Sequence, residues 1–224
     1  MALTKKTDLA LMEIGDYIPC KYTATSGVVG SFSELGTSVA TEIPVTGTAT
    51  PSGSFNFIKV DKGLLIADRV VQQSVSWDVL NAGKYIEGKV VVLNSKNTLI
   101  RSLNGGNSYA DYSNKRIVSL VDLGLGAYPD NEWDTYIVES DLGGKIIAGD
   151  DNVWHWNNTL SSWQRETPIL ALGANTSRAK RGLNTGSGIN TFVSIISTTV
   201  ATTVGFRPVL EYLEPDAKAI DLFK

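Results

Sequence analysis

Cysteine and histidine are nearly missing from this chain: Cys20 and His155 are the sole residues of their kinds among 224. A single cysteine excludes an intrachain disulfide and a thiolate metal cluster, and it reads as buried, inert packing. A single histidine removes most zinc centres and most nucleophile–histidine triads, which need several ligands or a paired base. Charge of one sign is also lacking. Twenty Lys and Arg against 23 Asp and Glu leave a net charge of -3, so no basic excess points to nucleic acid. The one basic cluster, Arg178-Ala179-Lys180-Arg181, is short and reads as a solvated strand with a paired arginine. No apolar run approaches the roughly 18 residues of a membrane helix, and membrane insertion is not expected. The opening Met1-Ala2-Leu3-Thr4-Lys5-Lys6 has charge without a following apolar core, so the expectation is synthesis in the cytoplasm without a signal peptide.

What is present is the composition of an ordinary folded domain, 42% hydrophobic and 19% charged, without a repeat of fixed period. Residues 1–53 are rich in Gly, Thr, Ser and Val and read as a small N-terminal β segment used for attachment. Within it Tyr17 to Ala24 is strand material interrupted by Pro19, which cannot donate to a ladder. From Phe55 the pattern sharpens. Phe55 to Val60, the turn Asp61-Lys62-Gly63, and Leu64 to Val71 predict a hairpin. Ser76 is placed to cap a helix from Trp77 to Ile86 that ends at Gly88. Val90 to Leu93 and Thr98 to Arg101 are strand candidates.

A second helix opens at Pro129-Asp130-Asn131-Glu132, where Trp133, Tyr136 and Ile137 form one apolar face, and Gly143-Gly144 stops it. The remainder predicts strands at Val153 to Trp156, Ser162 to Glu166, Phe192 to Val204 and Phe206 to Leu213, on the strength of β-branched runs. Two short helices among many strands give an α+β, mostly β fold. The expected organisation is an attachment segment over 1–53, a binding domain over 54–214, and a tail over 215–224.

Four segments carry a resemblance. Pro129-Asp130-Asn131-Glu132-Trp133 resembles the helix-opening P-[TD]-x-x-E-W element of formylglycine-generating-enzyme-like domains, with Glu132-Trp133 one position early. Asn152-Val153-Trp154-His155-Trp156 is similar to their N-V-W-E-W strand, with His155 in place of the acid. Arg178-Ala179-Lys180-Arg181-Gly182 is similar to their R-V-x-R-G strand, and Gly205-Phe206-Arg207-Pro208-Val209 to their closing G-F-R strand. The resemblance implies a C-type-lectin-like fold over the second half of the chain. It does not carry the oxidative activity, which needs paired cysteines in that half, where this sequence has none. The general texture also resembles phage-tail-associated proteins of Gram-positive bacteria. Together these imply a non-enzymatic virion component of a tail, baseplate or fibre, whose lectin-like core displays loops to a host-surface glycan or protein or to other virion proteins. A homo-oligomer is expected, a trimer among its forms. A capsid or head decoration protein shares the same composition. A glycan-degrading tail enzyme needs two acids held across a cleft, whereas Asp130, Glu132, Asp134 and Glu139 lie on or beside one helix and suit dipole and solubility roles.

Candidate sites follow from residue chemistry. The loop carrying Asn104, Asn107, Tyr109, Asp111 and Tyr112 combines anchoring rings with Gly, Asn and Ser, as binding loops do. Asn184, Thr185 and Ser187 lie in a second Gly-rich stretch. Either stretch also reads as plain solvent loop. By the resemblance, Asp150, Asp151 and Asn152 are candidate calcium ligands, since the loop beside N-V-W offers hard oxygens. The same residues also read as a solvated turn before a strand, and no other cofactor is expected. Trp154, Trp156 and Trp163 with His155 read as an aromatic platform for sugar rings or, since alternation puts Trp154 and Trp156 on one face and His155 on the other, as tryptophans facing the core, which is the expectation. Arg207 is expected in an internal ion pair or hydrogen-bond network.

Overall fold

The structure is a computed structural model that describes residues 3–106, 131–157, 160–165, 177–182, 189 and 192–213. It is mostly β with short helices. Strands β1 (Thr4–Lys5), β2 (Asp16–Thr23), β3 (Ser31–Ser33), β4 (Ser52–Asp61), β5 (Leu64–Ala67), β7 (Lys89–Leu93), β8 (Lys96–Ser102) and β13 (Pro208–Glu211) form one sheet. Its order is β1-β2-β4-β5-β13-β8-β7, with β3 pairing β2 off this path. The second sheet runs β11 (Phe192–Ile196), β10 (Ser177–Arg181), β9 (Ser161–Trp163), β12 (Val204–Phe206) and β6 (Gln72–Gln73).

The central strands of the large sheet are buried on both faces, so they read as continuous apolar runs. Alternation assigns each side chain to one of two cores. Phe55 and Phe57 of β4, Leu65 and Ala67 of β5, and Leu210 of β13 enter the first core. There they meet Trp163, Val204 and Phe206 of the second sheet. Ile58 and Val60 of β4, Ile66 of β5 and Val209 of β13 enter the second core, against Trp133, Ile137, Leu142 and Trp154. The molecule is therefore layered as sheet on sheet on helices.

The hairpin predicted around Asp61-Lys62-Gly63 forms as β4 and β5, with a register shift between Lys59 and Asp61. Ser76 caps helix α1 (Trp77–Ala82), its hydroxyl accepting from the Val79 N–H at 3.2 Å. The helix ends at Gly83, short of the predicted Gly88. Asn94 and Ser95, both at positive φ, make the tight turn between β7 and β8.

Several expectations need correction. The boundary expected after residue 53 falls inside β4, and β2 pairs with β4 from Tyr17↔Ile58 to Thr23↔Ser52. Leu9, Ile18, Tyr22, Phe32 and Ile43 lie in the first core beside Phe206. Residues 3–53 are thus built into the main sheet, because β2 needs β4 to complete its ladder. Pro19 is accommodated opposite Asn56, at a point where β2 lies between its pairings with β1 and β3.

Val153 to Trp156 is not a strand. Residues Asp151–Trp154 form helix α2, closed by His155 in the left-handed conformation at φ 44°. Phe192 to Val204 is two short strands separated by a turn. The basic cluster is a strand but not a solvated one: Ala179, Lys180 and Arg181 are buried. The segment Trp133–Val138 winds as a π-helix. Asn131 caps it through the Asp134 N–H at 2.9 Å, and it ends at Glu139 ahead of Gly143-Gly144.

Candidate functional site

The described parts of the four landmark segments meet at Trp133. Its ring lies 5.6 Å from the guanidinium carbons of both Arg181 and Arg207. Arg207 is buried, and its Nη2 donates to the Trp154 carbonyl at 2.7 Å while Nη1 reaches the Ala67 carbonyl at 3.4 Å. Burial brings Arg207 down to about 10; nearby Asp68 opposes that fall and Arg69 adds to it. Arg181 donates to Asp134 and to the Gly105 carbonyl. Gly182 closes the packing, since a Cβ there would meet the Trp133 ring at 3.0 Å. Arginines inside a core need such carbonyl, carboxylate and ring partners. Glu132 and Asp134, expected at the surface, are instead anchors: Glu132 grips Arg101, which also holds Glu211. Burial pulls Arg101 down, but the two carboxylates outweigh it and hold it above its ordinary value.

Behind Arg207 the surface opens into a cleft of about 290 Å³. One wall comes from Tyr17 of β2 with Asn56 and Ile58 of β4. The opposite wall is Asn152 and Val153 of α2 with its cap, His155. Asp68 and Arg69, at the end of β5, form the charged floor, with Glu42 beside them. Two carboxylates there share one guanidinium. Asp68 accepts from Arg69 Nε at 3.0 Å and Nη2 at 2.9 Å, and Nη2 also lies 2.9 Å from Glu42. Arg69 Nη1 donates to the Ile43 carbonyl at 2.8 Å. Burial lowers the Arg69 guanidinium, and the two carboxylates overcome this and raise it. Asn56 completes the floor by donating Nδ2 to Asp68 at 3.1 Å.

The residues predicted from sequence fare differently. Asn104 is part of the anchor network: its N–H donates to Glu132 at 2.8 Å and its carbonyl accepts from the Trp133 N–H at 3.0 Å. Its side chain accepts from the Gly106 N–H. Asn107, Tyr109, Asp111, Tyr112, Asn184, Thr185 and Ser187 lie outside the described residues. Asp150 caps α2, accepting from the backbone and side-chain nitrogens of Asn152 at 3.0 Å. Asp151 accepts from the Asn157 N–H at 2.7 Å. These carboxylates are engaged in closing a helical turn, and among the described residues no group of three His, Cys, Asp or Glu side chains is arranged to hold a metal. Trp154 and Trp163 are fully buried as expected, whereas Trp156 is half-buried and donates Nε1 to the Gly149 carbonyl. The cleft residues Glu42, Asn56, Asp68 and Arg69 were not singled out by sequence. Their one signal is a charged pair, Asp68-Arg69, interrupting an otherwise apolar run from Leu64 to Val71.

A scan against protein-family models, a search of curated proteins and a search of solved structures each found no match for this chain.

Proposed function

We propose that the chain is a non-catalytic virion component of a phage tail, baseplate or fibre, with a lectin-like core that presents a recognition surface to a host-surface glycan or protein. The observation that carries this reading is the convergence at Trp133. Segments resembling four separate elements of lectin-like domains pack on one indole, through Arg181 and Arg207 over its ring and the Trp154 carbonyl on Arg207. Such a rigid nucleus is what a scaffold for displayed loops requires.

Assembly with other virion proteins or further copies of the chain is supported by the edge strands. Val90 and Val92 of β7 and Ile196 of β11 are exposed, and among the described residues each lies on a strand with one hydrogen-bonded neighbour. Apolar side chains on open edges favour pairing with another chain. Among the described residues no helix is long and apolar enough to cross a membrane.

The test is localisation together with binding. Antibody labelling in electron micrographs should decorate the tail of a particle, and purified protein should associate with host cells or virion proteins. A strictly monomeric protein that binds neither cells, glycans nor virion proteins would end this reading. Label confined to heads would move the protein to the capsid.

A further inference from the structure

We propose that the cleft between β2, β4 and α2 is a binding site for a neutral, monosaccharide-sized ring; this rests on the recognition role proposed above and assigns it a location. Ligand pockets run from about 300 to 1,000 Å³, and a cleft of about 290 Å³ stands at the small end of that range, suited to one ring rather than a chain.

The lining selects the chemistry. Glu42 and Asp68 share the Arg69 guanidinium at 2.9 Å, and the buried Arg207 guanidinium, which also interacts with Asp68, balances the second carboxylate. With Arg207 counted, the floor carries no net charge to hold a free cation or anion. The polar lining still offers both acceptors and donors. Asn56 and Asn152 have each spent one Nδ2 hydrogen, on Asp68 and Asp150, which leaves the Oδ1 and the second Nδ2 hydrogen of each. Glu42, 60% exposed, keeps carboxylate lone pairs toward water. Acceptors and donors side by side call for a ligand whose groups do both, and hydroxyls donate and accept without charge. The other part of the lining is Tyr17, Ile58 and Val153, which suits the C–H face of a pyranose.

The site is also held in shape before any ligand arrives. Arg207 ties the α2 wall to the floor from behind, with Nη2 on the Trp154 carbonyl and Nη1 on the Ala67 carbonyl, the residues just before His155 and Asp68. His155, at the rim, holds a left-handed backbone that non-glycine residues adopt only when their surroundings impose it. A fixed cleft of this kind loses little freedom on binding.

Ligand-observed NMR on the purified chain, with methyl hexosides and methyl N-acetylhexosaminides as probes, tests the proposal. At least one glycoside should bind. Asn152→Ala and Glu42→Ala, both at exposed positions, should each weaken it about tenfold, the loss of one hydrogen bond to the ligand. Lys96→Ala, outside the cleft, should leave it unchanged. If Asn152→Ala lowers the melting temperature, Val153→Tyr, which fills the cleft, should abolish binding instead.

Three results would overturn the assignment, and they separate it from the broader reading. Cell binding by the wild type that survives all the cleft variants places recognition elsewhere and sinks only the cleft. Binding of Nα-acetyl-lysine amide with no glycoside bound shows a cation site and sinks the neutral-ring chemistry. Failure to bind cells, virion proteins and every glycoside removes both.

Discussion

Asp134 and Arg181 are 47 residues apart in sequence and meet in a buried ion pair, the arginine fully enclosed and the aspartate nearly so. Asn131 donates Nδ2 to the same carboxylate at 2.6 Å, and the Trp133 ring covers the guanidinium. Removing one partner of such a pair strands the other in a dry interior. Asp134→Ala is therefore expected to lower stability by about 3–5 kcal/mol in urea denaturation. The double variant Arg181→Met with Asp134→Leu should lose less than Asp134→Ala alone, since it buries no orphaned charge. A loss below about 1 kcal/mol for Asp134→Ala would mean that water screens the pair.

Gly205 of β12 lies against β6 with no room for a side chain. A Cβ built there would lie 2.0 Å from the Gln72 carbonyl oxygen and 2.8 Å from Val70 Cγ1. Backbone cannot yield as a flexible side chain does. Gly205→Ala should cost about 1–3 kcal/mol by overpacking, or part β12 from β6. Amide exchange at Val71, whose N–H donates to the Phe206 carbonyl at 2.8 Å, reports which occurs. A variant as stable as the wild type, with Val71 equally protected, would show that the strands are farther apart than described.

The local elements were legible in the sequence where a side chain closes its own turn. Ser76 ahead of Trp77 and Asp61-Lys62-Gly63 between apolar runs act within three or four residues, and the structure has both. Asn152-Val153-Trp154-His155-Trp156 misled because its alternation of large apolar and polar groups imitates a strand. The deciding interactions were the Asp150 cap and the left-handed His155, which shorten the segment to one helical turn. The N-terminal segment misled for another reason. Its Gly, Ser and Thr content suggests an independent arm, but Ile18, Tyr22 and Phe32 belong to a core whose other members lie as far along as Tyr212. The cleft was illegible because Glu42, Asn56, Asp68 and Asn152 are brought together only by sheet order and by the packing of α2.

Cys20 gives a clean alkaline signature. It is buried in β2, and burial pushes the thiol up to about 12 from its ordinary 9.0, with a backbone hydrogen bond of Ser33 acting the other way and Glu34 adding to the rise. The unfolded chain releases the thiol proton first as pH rises. The stabilisation is complete below about pH 9 and is lost as pH climbs toward about 12. The slope from one proton reaches at most about 1.4 kcal/mol per pH unit. Cys20→Ala should flatten the stability profile between roughly pH 9 and 10, before tyrosines titrate in the unfolded state. In the native wild type, alkylation by iodoacetamide should be slow and should accelerate on adding urea. Rapid labelling of the folded protein would show the thiol to be accessible.

His155, the single histidine, makes the acid limb equally readable. Burial lowers its pKa from the ordinary 6.5; Asp68 and Asp151 oppose the shift, and Arg69 and Arg207 add to it. A histidine depressed on folding is protonated first in the unfolded chain. Its contribution is therefore present above about pH 6.5 and lost as pH falls through the lowered value. His155→Asn retains a residue that tolerates the left-handed backbone while removing the titration. Between about pH 7.5 and pH 5 the wild type should lose more of its melting temperature than His155→Asn does. Because only one imidazole exists, its C–H resonances give the folded pKa directly, and that value should lie below 6.5. Identical acid slopes in the two proteins, or an imidazole titrating above 6.5, would assign the loss to the carboxylates and would mean that the rim of the cleft is wetter than its packing implies.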